Sequence, residues 1–225
     1  MEAGSSRKIS GGFYSICKDD ANNMTLMVLI LLAYLLGSIS FGVLASWMFR
    51  LPDPRMYGSK NPGATNVLRS GKKGAAALTL LGDAGKGWVA VALAQNFMPA
   101  LGENDRAIAA VALAVFLGHI FPIFLRFKGG KGVATAVGVL LGLNPWMGLL
   151  AVAIWIMVAA IWRMSSLAAL AAAALAPIYA PFFLGFEASA LVVLIMSLVI
   201  IWRHKSNIAS LIAGKETRIG KRSTP

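Results

Sequence analysis

The segment MTLMVLILLAYLLGSISFGVLASWMF, residues 24–49, carries no charged side chain. As one helix it rises roughly 39 Å, enough to cross a ~30 Å hydrocarbon layer with some tilt. It is too long for the apolar core of a signal peptide and lacks a small-x-small cleavage site, so it reads as a retained first span. Its second half, Gly37-Ser38-Ile39-Ser40-Phe41-Gly42, has the small residues that let membrane helices approach closely.

The pattern repeats along the chain. The 225 residues are 58% hydrophobic with a mean hydropathy of +0.72, well above a soluble domain. Six more apolar segments follow, at 74–98, 107–125, 133–143, 146–162, 165–184 and 188–202. The polar residues 1–23 read as a flexible N-terminal extension, 24–202 as the membrane domain and 203–225 as a basic tail. The expected class is an all-α integral membrane protein with seven transmembrane helices, its N-terminus outside and its C-terminus cytoplasmic.

Charge sets that count. With seven spans and the N-terminus outside, 16 of the 21 basic residues fall on one side, with only Asp53 and Glu216 among the acids there outside the spans. Arg7, Lys8, Lys18 and Arg106 fall on the other, against six acids. The basic side is cytoplasmic by the positive-inside rule. A re-entrant 133–143 would put the basic tail outside, so that segment is expected to span.

The formal net charge of +12 goes with basic cytoplasmic loops. No polar stretch interleaves aromatic with basic residues, so nucleic acid is not an expected partner. The single cysteine, Cys17, excludes an intramolecular disulfide and a cysteine-rich metal site. No carboxylate cluster or histidine pair has metal-ligand spacing, and neither metal nor cofactor is expected.

Between the first two apolar segments lies Gly58-Ser59-Lys60-Asn61-Pro62-Gly63-Ala64-Thr65-Asn66-Val67-Leu68-Arg69-Ser70-Gly71. Glycines, hydroxyls, amides and an arginine, with no carboxylate, are the inventory that holds a phosphate. A solvated connector is the rival reading, and anion binding is the expected one. A second loop, Arg126-Phe127-Lys128-Gly129-Gly130-Lys131-Gly132, lacks Walker spacing and a preceding strand. It does open the apolar helix 133–143, where free N–H groups and the positive dipole end favour an anion. The tail begins Arg203-His204-Lys205-Ser206-Asn207. Seven spans bring these three motifs to one face, where Arg69, Lys131 and His204 can build one cationic pocket.

Within the spans, Asp83 and Lys86 share a helix face and can pair. Intramembrane ionisable groups are functional candidates, with a structural ion pair as the rival. His119 reads as packed and hydrogen-bonded in place. The chain has no G-x-S-x-G elbow, and neither histidine has an aspartate five positions on: Phe124 and Ala209 stand there. A site rich in phosphate clamps and poor in acid–base groups suits a substrate that arrives already activated.

From about Tyr34 to Gly220 the sequence resembles the acyl-phosphate-dependent glycerol-3-phosphate acyltransferases of bacteria, the PlsY family. Three blocks carry the resemblance: Gly37-Ser38-Ile39 through Asn61-Pro62-Gly63-Ala64-Thr65-Asn66-Val67-Leu68-Arg69; Gly118-His119 through Phe127-Lys128-Gly129-Gly130-Lys131-Gly132-Val133-Ala134-Thr135; and Arg203-His204 with Asn207-Ile208. Ser40 stands where a proline is common, and Lys60 where a small or polar residue is. The resemblance implies a multi-pass bacterial inner-membrane enzyme of seven helices with its active site facing the cytoplasm. It would transfer a fatty acyl group from acyl phosphate to the 1-hydroxyl of glycerol 3-phosphate, giving lysophosphatidate and phosphate, the first step of membrane phospholipid synthesis. It implies Ser59, Arg69, Lys131, His204 and Asn207 as the catalytic set. Gly58, Asn61, Thr65, Asn66, Lys128, Gly129, Gly130 and Gly132 are expected to line the substrates, with Ser38, Asp83, Lys86 and His119 in support. Expected partners are the two substrates, membrane lipids and a soluble acyl-phosphate synthase. The main rival is a transporter for an organic phosphate, which Asp83 and Lys86 would suit but which the lack of an internal repeat disfavours. A non-enzymatic scaffold leaves the glycine–lysine loop unexplained.

Overall fold

The computed structural model describes residues 5–97 and 105–219, with side chains from Asn22 onward within them. Helix α1 (Ser5–Ser38) takes in residues 5–23, expected as an extension, and runs on into the first apolar segment.

The segment 24–49 is not one helix. α1 stops at Ser38, and α2 (Phe41–Met48) begins after Ile39 and Ser40 with a bend of 45°. The serines account for the break. Ser38 Oγ donates back to the Tyr34 carbonyl at 2.9 Å, a bond that bends helices. Ser40 caps α2, its Oγ accepting from Val43 N at 3.4 Å.

A loop leads to the short α3 (Ala64–Leu68), then α4 (Lys73–Phe97) and α5 (Asp105–Ile120). A 3₁₀ turn, Ile123–Leu125, and the glycine–lysine loop follow, and then α6 (Val133–Leu143), α7 (Pro145–Trp162), α8 (Ser165–Leu184) and α9 (Ala188–Arg203). α10 (Lys205–Ile212) leaves α9 at His204 with a 58° bend, so the tail opens as a helix.

Among the described residues four helices are long and apolar enough to cross a membrane, and six if each bent pair counts as one span. The expected seven is not reached on those criteria. α6 has 11 residues and rises only about 16 Å, roughly half the hydrocarbon layer. Asn144 ends it, and the same side chain starts α7, its Oδ1 accepting from Trp146 N at 3.0 Å and Met147 N at 3.3 Å with Pro145 in the first turn.

Close glycine contacts hold the bundle. A Cβ on Gly37 would lie 2.1 Å from the Val115 carbonyl oxygen, and one on Gly118 would lie 2.3 Å from that of Tyr34, so α1 and α5 touch backbone to backbone. Gly87 and Gly138 do the same for α4 and α6, at 2.4 Å from Thr135 O and 1.8 Å from Ala84 O. Such contact lets dispersion do the work that the hydrophobic effect cannot do between lipid-embedded helices. Val111, Val115, Phe116, Ile120 and Val139 fill the core around these seams.

Candidate active site

Asn66 fastens the first polar loop. Buried in α3, it donates through Nδ2 to the Pro54 carbonyl at 2.7 Å and the Tyr57 carbonyl at 3.2 Å, and its Oδ1 accepts from Ser59 N at 3.0 Å. Three backbone groups of a glycine-bearing loop are thus satisfied by one amide. Gly58 sits at φ +55, and a Cβ there would meet Asn66 Oδ1 at 2.3 Å and the Arg69 side chain at 3.2 Å. The bare glycine therefore makes room for Arg69 beside Ser59. Ser59 and Thr65 are exposed, while Asn61 lies half-buried against Gly63.

The second loop is built on His119 and Arg203. Arg126 and Phe127 both adopt left-handed φ values, 52 and 62, and turn the chain back toward α5. Gly130 N donates to the His119 carbonyl at 3.2 Å, and a Cβ on Gly130 would lie 2.2 Å from His119 Nε2. Arg203 donates from Nη2 to Gly129 O at 3.0 Å and from Nε to Gly130 O at 3.2 Å. In a trans peptide the N–H opposes the carbonyl, so the Lys131 amide faces away from Arg203. Gly132 caps α6 at φ +86, without a side-chain cap, leaving that helix start to an incoming acceptor.

Lys131 is the centre. Its ammonium donates to Asn207 Oδ1, Asn207 Nδ2 donates to Glu216 Oε1 at 2.9 Å, and Ser166 Oγ donates to the same oxygen at 2.8 Å. The tail returns here because Ile219 N bonds the Arg163 carbonyl at 2.6 Å. Burial pushes the Lys131 ammonium below the ordinary lysine range; Glu216 opposes this, while Arg203 and Arg69 add to it. The Arg69 charge thus adds to the positive field at Lys131. His204 is buried, its Nδ1 2.8 Å from the Ile200 carbonyl. A carbonyl only accepts, so Nδ1 carries the proton and Nε2 is left as an acceptor.

Of the expected residues, Lys131 and Asn207 are in direct contact, His204 is buried three positions before Asn207, and Arg69 and Ser59 sit together on the clipped loop. Lys128 is exposed and has no described contact to these residues. Ser38, Asp83, Lys86 and His119 are buried. Glu216 and Arg203 escaped the sequence reading as site residues. One signal for Glu216 was present: it is one of two acids on the basic side outside the spans, and the other, Asp53, is spent on Arg55 at 2.6 Å.

A narrow apolar cleft starts at Val133, two residues past Lys131, and runs between α6, α8 and α9. Ala136, Ala169, Ala172 and Met196 are among its walls.

A family model described as glycerol-3-phosphate acyltransferase matches residues 27–214. The chain belongs to the glycerol-3-phosphate acyltransferase family. It is 74% identical over 201 residues to the glycerol-3-phosphate acyltransferase of Nitrosospira multiformis, covering 89% of this chain and all of that one. The acyltransferase of Nitrosomonas eutropha is 66% identical over 200 residues, with 89% and 100% covered. The crystal structure of PlsY (YgiH), an integral membrane glycerol 3-phosphate acyltransferase, in its glycerol 3-phosphate form matches with a TM-score of 0.80 at 35% identity, covering 87% of this chain and 96% of that one. Its lysophosphatidic acid form matches at 0.78 and 34%. The chain is thus a multi-pass integral membrane glycerol-3-phosphate acyltransferase, an enzyme of phospholipid synthesis that forms lysophosphatidic acid.

Proposed function

We propose that the acyl donor is an acyl phosphate, that the 128–132 loop holds it, and that the 58–69 loop holds glycerol 3-phosphate. The observation that carries this reading is the Lys131 ammonium, aimed by Asn207 at the open start of α6, with the Arg69 charge adding to the field there. Lys131, the loop amides and the open α6 N-terminus take the phosphate of the donor. Arg69, Ser59, His204 and Asn207 take the glycerol phosphate, with His204 Nε2 accepting from one of its hydroxyls.

An acyl phosphate is a mixed anhydride with a good leaving group, so no acyl-enzyme is needed. The 1-hydroxyl attacks the carbonyl carbon, the bond from that carbon to the phosphate oxygen breaks, and inorganic phosphate leaves. The hydroxyl proton passes to a substrate phosphate. Catalysis then rests on positioning two anions and stabilising charge on the carbonyl and leaving oxygens. The cleft beside Val133 takes the acyl chain, since it is apolar and opens next to the donor loop. A soluble acyl-phosphate synthase supplies the donor.

The same reading gives seven crossings, N-terminus outside and the site on the cytoplasmic face, with α6 as a short crossing. Thr135, Ala136, Gly138, Val139 and Leu140 of α6 are buried, which supports a helix sheltered by protein from lipid. The bias of 16 among 21 basic residues supports the orientation. Phosphate release by purified protein, given glycerol 3-phosphate with palmitoyl phosphate or with palmitoyl-CoA, tests the donor. Release with the acyl phosphate and dependence on both substrates is expected. Turnover with the CoA thioester alone would overturn the donor assignment.

A further inference from the structure

The geometry points to Asp83, Lys86 and His119 as positioning residues that set the donor clamp and the acceptor clamp at their working separation. This inference rests on the clamp assignment above and adds to it a group that touches neither substrate.

The three side chains are 2%, 3% and 7% exposed. Lys86 Nζ lies 2.8 Å from Asp83 Oδ1, and His119 Nδ1 lies 3.5 Å from the same oxygen. Stability alone is a weak reason for such a group, because a buried ion pair replaced by apolar side chains of similar volume is often neutral or stabilising. Each end of the cluster has a more specific task.

At one end Lys86 Nζ donates to the Ile39 carbonyl at 2.6 Å. Ile39 lies in the break between α1 and α2, where no helical partner meets that carbonyl and lipid offers none. Lys86 therefore fixes the elbow. α2 carries the position on: Phe41 covers Gly82 of α4, and the backbone at Gly42 touches Pro62, where a Cβ would lie 1.9 Å from the carbonyl oxygen. Pro62 belongs to the acceptor loop.

At the other end His119 is the floor of the donor loop. Its carbonyl accepts from Gly130 N, its ring abuts Gly130, and a Cβ on Gly129 would lie 2.2 Å from its carbonyl oxygen. The Asp83 carboxylate stands 3.5 Å from Nδ1, within ion-pair reach, while Nε2 lies on the side of that loop. Arg203 closes the loop from the opposite side through the Gly129 and Gly130 carbonyls. One carboxylate thus joins the elbow beneath Pro62 to the histidine beneath Lys131.

Attack needs the hydroxyl about 3–3.5 Å from the acyl carbon, and a misplacement near 1 Å costs on the order of 100-fold in rate. Loss of the cluster leaves each clamp able to bind its own substrate but shifts one against the other. The readout is steady-state kinetics of full-length protein with glycerol 3-phosphate and palmitoyl phosphate. Lys86→Met is expected to lower kcat by roughly 10- to 100-fold with both KM values within about threefold of wild type, and Lys86→Arg to recover a large part of kcat. If Lys86→Met yields no folded enzyme, His119→Asn, which leaves the ion pair in place, decides by the same split. A kcat within threefold of wild type, a rise in one KM that accounts for the loss, or failure of Lys86→Arg to recover overturns the inference. Arg69→Ala and Lys131→Ala run alongside report on the clamp assignment through their own KM values, so failure of one is distinct from failure of the other.

Discussion

The Lys131 ammonium is held by Asn207, and the amide that holds it is itself oriented by Glu216 through a 2.9 Å hydrogen bond. The glycine–lysine loop before α6 and the helix pair at the end of the membrane domain are therefore one unit. Removing the amide frees the lysine and leaves Glu216 facing it across the gap. Asn207→Ala is expected to lower kcat/KM by at least about 100-fold, in the range for a group realised in the transition state. Glu216→Gln, which keeps an acceptor for Asn207 and Ser166, is expected to retain most of the activity that Glu216→Ala loses. Steady-state kinetics on the three variants checks the ordering.

Asn66 serves the other loop. Its side chain satisfies Pro54 O, Tyr57 O and Ser59 N, and it is 2% exposed. Asn66→Ala leaves three backbone groups without that partner, at about 1–3 kcal/mol for each that water does not reach. The expected result is a KM for glycerol 3-phosphate raised at least tenfold, with a smaller change in the KM for acyl phosphate. Equal changes in both would separate Asn66 from the acceptor loop.

Gly132 has no room for a methyl group. Its φ of +86 disfavours any L side chain, and a Cβ would lie 2.5 Å from the Phe116 ring. Gly132→Ala is expected to cost about 1–3 kcal/mol from backbone strain, seen as a lower thermal midpoint in detergent, and to lower activity more than Gly71→Ala. Gly71 shares the positive φ, at +83, but has open space where its Cβ would sit.

In the proposed clamp Lys131 acts as the ammonium, and burial lowers its pKa from the ordinary lysine value. The charged form, and with it activity, is complete below the shifted pKa and is lost as pH rises through it. The profile of kcat/KM for acyl phosphate is expected to fall on the alkaline side before the ~10.4 of a free lysine. In Lys131→Arg that limb is expected to move to higher pH, since guanidinium stays protonated. A limb unmoved in Lys131→Arg would assign the titration to another group.

The cleft predicts chain-length control. Ala172 lines it with no side chain beyond a methyl. Ala172→Phe is expected to lower kcat/KM for palmitoyl phosphate at least tenfold relative to lauroyl phosphate, measured by competing the two donors.

Much of this was legible in the sequence. The Gly58–Gly71 loop, the 128–132 loop and His204 with Asn207 were picked out by residue type, and the structure gives Lys131 and Asn207 a direct contact. The apolar segments announce themselves too, with Val133–Leu143 falling at its observed bounds. Hydropathy says nothing about whether the backbone stays helical, so the break at Ser38-Ile39-Ser40 was hidden inside a single apolar run. The 11-residue segment was expected to span on the balance of charge, not on length, since it rises only about half the layer. The partner of Glu216 was hidden, although its place as a lone acid among basic residues was visible, because it depends on the tail returning to Arg163, a pairing of residues 56 apart that no local pattern records.

The central claim is that Lys131 and Arg69 hold different substrates at one junction. Measuring both KM values in Arg69→Ala and in Lys131→Ala, in protein shown to be folded, tests it most directly. The expected result is a crossed pattern, with Lys131→Ala raising the KM for acyl phosphate and Arg69→Ala raising that for glycerol 3-phosphate, each at least tenfold and with kcat reduced in both. Near-normal turnover in either variant, or both variants weakening the same substrate, would contradict the account.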